Sequence, residues 1–283
     1  MLVTAPAAQS AAGNADYDTC DKGSGEEAIA ACGRAIASKE FSGDSLASLY
    51  FSRALLLDKK GDADGALSDY SAALQSNPAL FGALNNRGNL YQSKGEIDLA
   101  IADFSEAIKL KPDFAFPYNN RGNSYRLKGS YDQAIADLNQ AIKLKPDYVF
   151  ALNNRGLAYE GKGDLDAALK DFDEAIRLKP DYANAYRNRG ELHAKKHERQ
   201  DAMADYEKAL SLNPPAEMKQ QITAAMTDLL KQAFDQVGKT ESGATPAPGS
   251  PVSPNEAGAV VVWESSDEGR CSLNIIRAMG DAG

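Results

Sequence analysis

Apolar residues recur at helical spacing through most of the chain. In the stretch 81–112, the run Ala83-Leu84-Asn85-Asn86-Arg87-Gly88-Asn89-Leu90-Tyr91 predicts a first helix. Lys94-Gly95 breaks it, because glycine enters the left-handed region without steric cost. A second helix is predicted over Ile97 to Lys111, where Ile97, Ala100, Ile101, Phe104, Ala107 and Ile108 follow the i, i+3, i+4, i+7 rule. Pro112 ends it, since its ring removes an N–H and the residue before it avoids the helical well.

The same two-helix pattern returns every 34 residues. Pro78, Pro112, Pro146, Pro180 and Pro214 mark the period. Arg53, Arg87, Arg121, Arg155 and Arg189 keep the phase, and so do Asp69, Asp103, Asp137, Asp171 and Asp205. Small residues form further columns: Gly88, Gly122, Gly156 and Gly190, then Ala66, Ala100, Ala134, Ala168 and Ala202. Gly at the eighth place and Ala at the twentieth let the two helices of a pair approach closely. One such hairpin cannot bury its apolar face alone, so stacking of neighbours must supply a continuous core.

These columns resemble tetratricopeptide repeats (TPRs), whose period and small-residue pattern they share. The resemblance is to bacterial members of the family, periplasmic ones among them. It departs at the seventh place, where the family pattern has Leu and this chain has Arg. It implies an all-α fold: a TPR helix-turn-helix solenoid, wound as a right-handed superhelix, with an N-terminal half-repeat and a C-terminal capping helix. The repeats are expected at 47–80, 81–114, 115–148, 149–182 and 183–216. Residues 20–46 read as a degenerate half-repeat, because Ala28, Ile29, Cys32, Ala35 and Ile36 match Ala66, Leu67, Tyr70, Ala73 and Leu74. The amphipathic stretch 217–237 carries Met218, Ile222, Met226, Leu229, Leu230 and Ala233 on one face and reads as the cap.

Two segments fall outside the repeats. Residues 238–283 open with a stretch rich in Pro, Gly and Ser and read as a disordered linker and tail, although Val260-Val261-Val262-Trp263 is strand-like. Residues 1–19 read either as a signal remnant or as a disordered Ala-rich end. Ala8 and Ser10 fit a cleavage site before Ala11, but no basic stretch precedes them and the first lysine is Lys22. A periplasmic or secreted location is therefore expected, with a cytoplasmic one as the alternative.

Composition removes several function classes. Asp and Glu number 40 against 31 Lys and Arg, a net charge of −9, which argues against nucleic acid as a main partner. No apolar stretch approaches the roughly 20 residues of a membrane-spanning helix. The array shows no Gly-rich phosphate loop after a strand and no GxSxG, so no enzyme and no cofactor are expected. Carboxylates such as Asp62, Asp64, Asp164 and Asp166 sit at the inter-helix turns, where capping and the helix dipole favour them. The only histidines, His193 and His197, are four apart. They replace the tyrosines and glycines of other repeats and lack a third ligand at metal-binding spacing, so no metal is expected. The Arg column could pair with the Asp of its own repeat or of the preceding one, Asp103 or Asp69 for Arg87.

Cys20 and Cys32 flank a short glycine-bearing loop. Cys32 lies about 10 Å into its helix. Five or six extended residues return that distance at about 3.3 Å each, so a disulfide is geometrically allowed. The alternative is a buried Cys32 with Cys20 free. Periplasmic relatives, as the resemblance implies, often carry such a pair, and a bridge would mean an oxidising compartment. Cys271 is left over.

The asparagines are the candidate binding residues. Asn86, Asn120, Asn154 and Asn188 hold the sixth place, and Asn85, Asn119 and Asn153 the fifth. In the family these places face the concave groove. The ladder resembles that of the O-linked N-acetylglucosamine transferase superhelix, where Asn amides hold the backbone of an extended peptide. An amide offers one acceptor and two donors, so it can match a peptide unit without reading sequence. The competing reading is that these amides cap, or bond between neighbouring helices. Phe116, Phe150 and Tyr118 are candidate apolar anchors. The family's carboxylate clamp is not expected, since only Arg187 fits it. The function implied is a non-catalytic protein-interaction scaffold for an extended peptide or partner helix. A substrate-recruiting subunit of an enzyme with its catalytic chain elsewhere, or a structural part of an envelope assembly, stand as alternatives.

Overall fold

The computed structural model describes residues 10–241, 259–265 and 271–277. The chain divides into two compact bodies, Met1–Leu229 and Leu230–Gly283. In the first, helices follow one another as antiparallel neighbours: α1 (Ala11–Lys22), α2 (Gly25–Ala37), α3 (Gly43–Lys60), α4 (Ala63–Ser76), α5 (Phe81–Ser93), α6 (Ile97–Leu110), α7 (Ala115–Leu127), α8 (Tyr131–Leu144), α9 (Val149–Lys162), α10 (Leu165–Leu178), α11 (Ala183–Lys195) and α12 (Arg199–Ser211). Helix α13 (Ala216–Glu241) follows. The strongest contacts are within the pairs α3/α4 to α11/α12, and each second helix also packs on the first helix of the next pair.

The repeat columns explain this packing. Gly61, Gly95, Gly129 and Gly163 close the inter-helix turns at φ between 77° and 90°, a region that penalises any Cβ. His197 fills the same place in the last repeat at φ 63°. At the eighth place, a Cβ on Gly156 would lie 2.6 Å from the Phe172 ring, so only glycine lets α9 and α10 meet. The twentieth-place alanines are wholly buried, as are Tyr70, Phe104, Leu138, Phe172 and Tyr206 beside them.

The Arg column pairs within its own repeat. Arg87 donates to both oxygens of Asp103 at 2.8 and 2.7 Å, and Arg121, Arg155 and Arg189 do the same to Asp137, Asp171 and Asp205. Asp69 takes Arg53 instead of Arg87. The remaining guanidinium nitrogen reaches back one repeat, from Arg87 to Ser71 Oγ and from Arg189 to Asp173. The seventh-place Arg thus ties three helices together where the family pattern has Leu.

The turn carboxylates divide their work. Asp62 and Asp164 cap α4 and α10, accepting from the Gly65 and Ala167 amides. Asp64 and Asp132 instead receive the next repeat's lysine, Lys94 at 2.7 Å and Lys162 at 2.6 Å. Such exposed pairs are worth about 0.2–1 kcal/mol each.

The N-terminal end of the array differs from the sequence reading. Before the expected half-repeat lies a complete helix, α1, capped by the Ser10 side chain on the Gly13 amide. Residues 11–19 are therefore helical, and α1 with α2 makes a full hairpin. Tyr17 packs on Phe41 at 5.2 Å, and Arg34 grips Asp16 at 2.7 Å. Cys20 and Cys32 are bonded, with Cα atoms 4.7 Å apart. Cys20 sits on a helix here, facing α2 across the hairpin, rather than at the end of an extended return. Residues 1–9, with the cleavage-site reading, lie outside the described residues.

At the other end, Ile222 and Leu229 of α13 are buried against Tyr186 and Tyr206, closing the last apolar edge. The helix runs on to Glu241. In the second body, β1 (Ala259–Ser265) and β2 (Cys271–Arg277) pair antiparallel, with Val262 opposite Asn274 and Ser265 opposite Cys271. The β-branched residues of this stretch favour strand. Residues 242–258 lie outside the described residues. No helix among the described residues is long and apolar enough to cross a membrane.

Candidate functional site

First helices of successive repeats touch one another, α5 to α7, α7 to α9 and α9 to α11. Second helices show no contact of that size. The first helices therefore form the tighter, inner layer. On α7 the inner face carries Phe116, Asn119, Asn120, Asn123 and Arg126, spaced i, i+3, i+4, i+7, i+10. On α9 the matching residues are Phe150, Asn153, Asn154, Leu157 and Glu160.

The fifth- and sixth-place amides meet across the repeat boundary. Asn120 Nδ2 donates to Asn85 Oδ1 at 3.2 Å, Asn154 Nδ2 to Asn119 Oδ1 at 3.0 Å, and Asn188 Nδ2 to Asn153 Oδ1 at 2.8 Å. Each sixth-place side chain thus reaches the fifth-place side chain of the repeat before it. Within repeats, Asn119 donates to Asn120 and Asn85 to Asn86. Asn119, Asn153 and Asn188 are buried, whereas Asn85, Asn86, Asn120 and Asn154 are half-buried. The fifth-place amides and Asn188 are spent on the stack; the sixth-place amides of the middle repeats keep an open side.

One turn earlier runs an aromatic stripe. Phe81, Phe114, Phe116, Tyr148, Phe150 and Tyr182 follow one another ring to ring at 5.0–6.1 Å. Phe114, Phe116 and Phe150 are 39%, 41% and 49% exposed, high for Phe that already touches other rings. Lysines edge the stripe. Lys111 lies 4.8 Å from the Phe81 ring, Lys145 5.3 Å from Tyr148 and Lys179 5.7 Å from Tyr182. Burial pushes the Tyr148 phenol up to about 12. Tyr118 is not part of this surface. It packs into the core beside Leu138, with its hydroxyl on the Pro112 carbonyl. Phe114, Tyr148 and Tyr182 were passed over in the sequence; their shared 34-residue spacing was the signal that could have found them.

Further along the same face the chemistry becomes charged. Lys195 holds Glu160 at 2.6 Å, and Arg187 lies 3.5 Å from Glu191 while donating to Gln221 and Asn188. Burial raises the Glu191 carboxyl above the usual range; Arg187 opposes that rise and Glu160 adds to it.

His193 bonds the Glu198 carboxylate through Nδ1 at 2.6 Å, with Asp205 3.9 Å from Nε2. The sequence reading saw no such carboxylate, because Glu198 stands at the N-cap of the next helix and Asp201 lies in its first turn. Donor atoms of His193, Glu198 and Asp201 lie within 4.8 Å of one another, close enough for a cation to bridge them. The His193–Glu198 contact is a hydrogen bond that needs no cation. His197 is exposed and stands apart from this group.

Family models describing tetratricopeptide repeats match residues 47–80, 82–114 and 183–216, and a further TPR model matches 122–163 and 161–196. Together these cover most of the array. The chain is a tetratricopeptide repeat protein. No curated protein matches it in sequence. Among solved structures, a TPR protein from Parabacteroides merdae is 21% identical with TM-score 0.66, over 81% of this chain and 91% of that one. MamA is 28% identical with TM-score 0.51, over 59% of this chain and 91% of its own. YrrB, described as a TPR protein with an unusual peptide-binding site, is 23% identical with TM-score 0.51, over 69% and 99%. These likenesses carry the solenoid fold, and the TPR family is one of protein-interaction domains.

Proposed function

We propose that the inner face of the first helices binds an extended peptide or a partner helix, and that the protein is a non-catalytic scaffold. The observation that carries this reading is the aromatic stripe. Rings already packed on one another remain exposed over three repeats, and exposed aromatic surface of that extent marks docking sites. Phe116 and Phe150 serve as apolar anchors. Asn86, Asn120 and Asn154 offer a peptide backbone the capacity left by their inter-repeat bonds, while Asn85, Asn119, Asn153 and Asn188 hold the stack together. The Cys20–Cys32 bridge supports a periplasmic or secreted location.

The test is photo-cross-linking in cells with a benzophenone side chain at Phe150, against the same group at Lys170 on the outer layer. Discrete cross-linked partners from position 150 alone are expected. Equal yields from both positions would remove the groove as the binding face.

A further inference from the structure

Arg126 stands apart from the arginines of the Arg column. Those in repeats 1 to 5 (Arg53, Arg87, Arg121, Arg155, Arg189) each hold an Asp of their own repeat. Arg126 occupies the twelfth place of the middle repeat, on the inner face and half-buried. The same place holds Asp58, Gln92, Glu160 and Ala194 elsewhere, so this cation belongs to one repeat and not to the fold. No carboxylate lies within 4.0 Å of its guanidinium among the described residues.

Neutral groups nevertheless hold it in place. Nε and Nη2 both donate to Asn123 Oδ1, at 3.0 and 2.8 Å. Asn123 in turn donates to Gln92 Oε1 at 3.3 Å, and Gln92 donates to Ser124 Oγ at 2.7 Å. One edge of the planar fork, Nε and Nη2, is thus fixed by a neutral oxygen, leaving the Nη1/Nη2 edge to donate elsewhere. Burial works against the charge and lowers the guanidinium pKa, with Tyr131 and Glu160 opposing that only in part. A half-buried cation without a carboxylate in contact weakens the fold, whereas an oriented fork matches a carboxylate in two places.

We propose that Arg126 is the seat for a carboxylate of the bound polypeptide, at the middle of the array. This rests on the reading of the inner face as a peptide groove. The carboxylate comes from an Asp or Glu side chain or from a C-terminus. An oriented guanidinium recognises either, and the pair would discriminate by about 10- to 100-fold in affinity.

The test pans dodecapeptide libraries with blocked and with free C-termini against the whole protein and its Arg126→Gln variant. The expected result is a shared apolar pattern in both, with a fixed acidic position only in the unaltered protein. Enrichment confined to the free-C-terminus library would assign the seat to a terminal carboxylate, still within the proposal. Asp→Asn at the fixed position should then cost the unaltered protein about 10- to 100-fold and the variant little. Selected peptides without an acidic preference would overturn the Arg126 seat and leave peptide binding standing. No selected peptides at all would overturn the groove reading itself. Melting gives an independent check. Arg126→Gln should melt at or above the parent temperature, because an uncompensated charge is gone. A fall of several degrees would make Arg126 a structural residue and remove the proposal.

Discussion

The middle of the array and its N-terminal end are both stacks of helix hairpins, yet they are held by different means. From α5 to α12 every joint is periodic. Arg grips Asp within a repeat, Asn meets Asn across the boundary, and Lys meets Asp at the turns. At α1 and α2 the columns lapse. There a disulfide, an Arg34–Asp16 pair and the Tyr17–Phe41 contact do the joining, each occurring once. The difference shows where a repeat protein gets its strength: from contacts multiplied by the period while the pattern holds, and from a covalent link where it does not.

The largest break in this contrast is expected in the middle. Asp137→Ala leaves the Arg121 guanidinium facing a buried gap, and should cost about 3–5 kcal/mol by equilibrium denaturation. A loss below about 1 kcal/mol would mean that the Arg–Asp ladder fixes geometry but not stability. The end should respond to reduction. Opening Cys20–Cys32 is expected to cost about 2–3 kcal/mol and to speed amide exchange in α1 and α2, leaving α5 to α10 unchanged. Uniform acceleration along the chain would contradict the division.

The periodic part was legible because each column states one physical need several times over. Gly156 and Ala168 announce a close approach of the two helices of a repeat by their spacing alone. The partner of Arg87 was left open between Asp69 and Asp103, since the period places one Asp on each neighbouring helix. The role of the asparagines was ambiguous for a similar reason. Spacing puts Asn119 and Asn154 on one face, but whether their amides point to a ligand or to each other is set by the tilt between α7 and α9. Helix α1 was hidden because Ala11-Ala12-Gly13-Asn14 carries no apolar period, and its packing arises through Tyr17 and Cys20. The carboxylates around His193 lay on the neighbouring helix or at its N-cap, beyond any same-face count.

A gentler probe is alkaline titration. Burial pushes Tyr70, Tyr148 and Tyr206 up to about 12. Their folded values exceed the ordinary one of about 10, so stability is intact below pH 10 and is lost as pH rises towards 12. Tyrosine absorbance should therefore show a late phase, coinciding with loss of helical signal. Ionisation of all twelve tyrosines in one phase near pH 10 would contradict the packing described for the core.

The central claim is that the asparagine ladder first joins repeat to repeat, so that its amides serve the stack before any ligand. Thermal melting of Asn120→Ala with Asn154→Ala tests it most directly. The double change strips donors from Asn85 and from the buried Asn119. At about 1 kcal/mol or more per lost bond, and about 2–4 °C per kcal/mol, melting should fall by several degrees. An unchanged melting temperature would contradict the account and return the amides to the ligand.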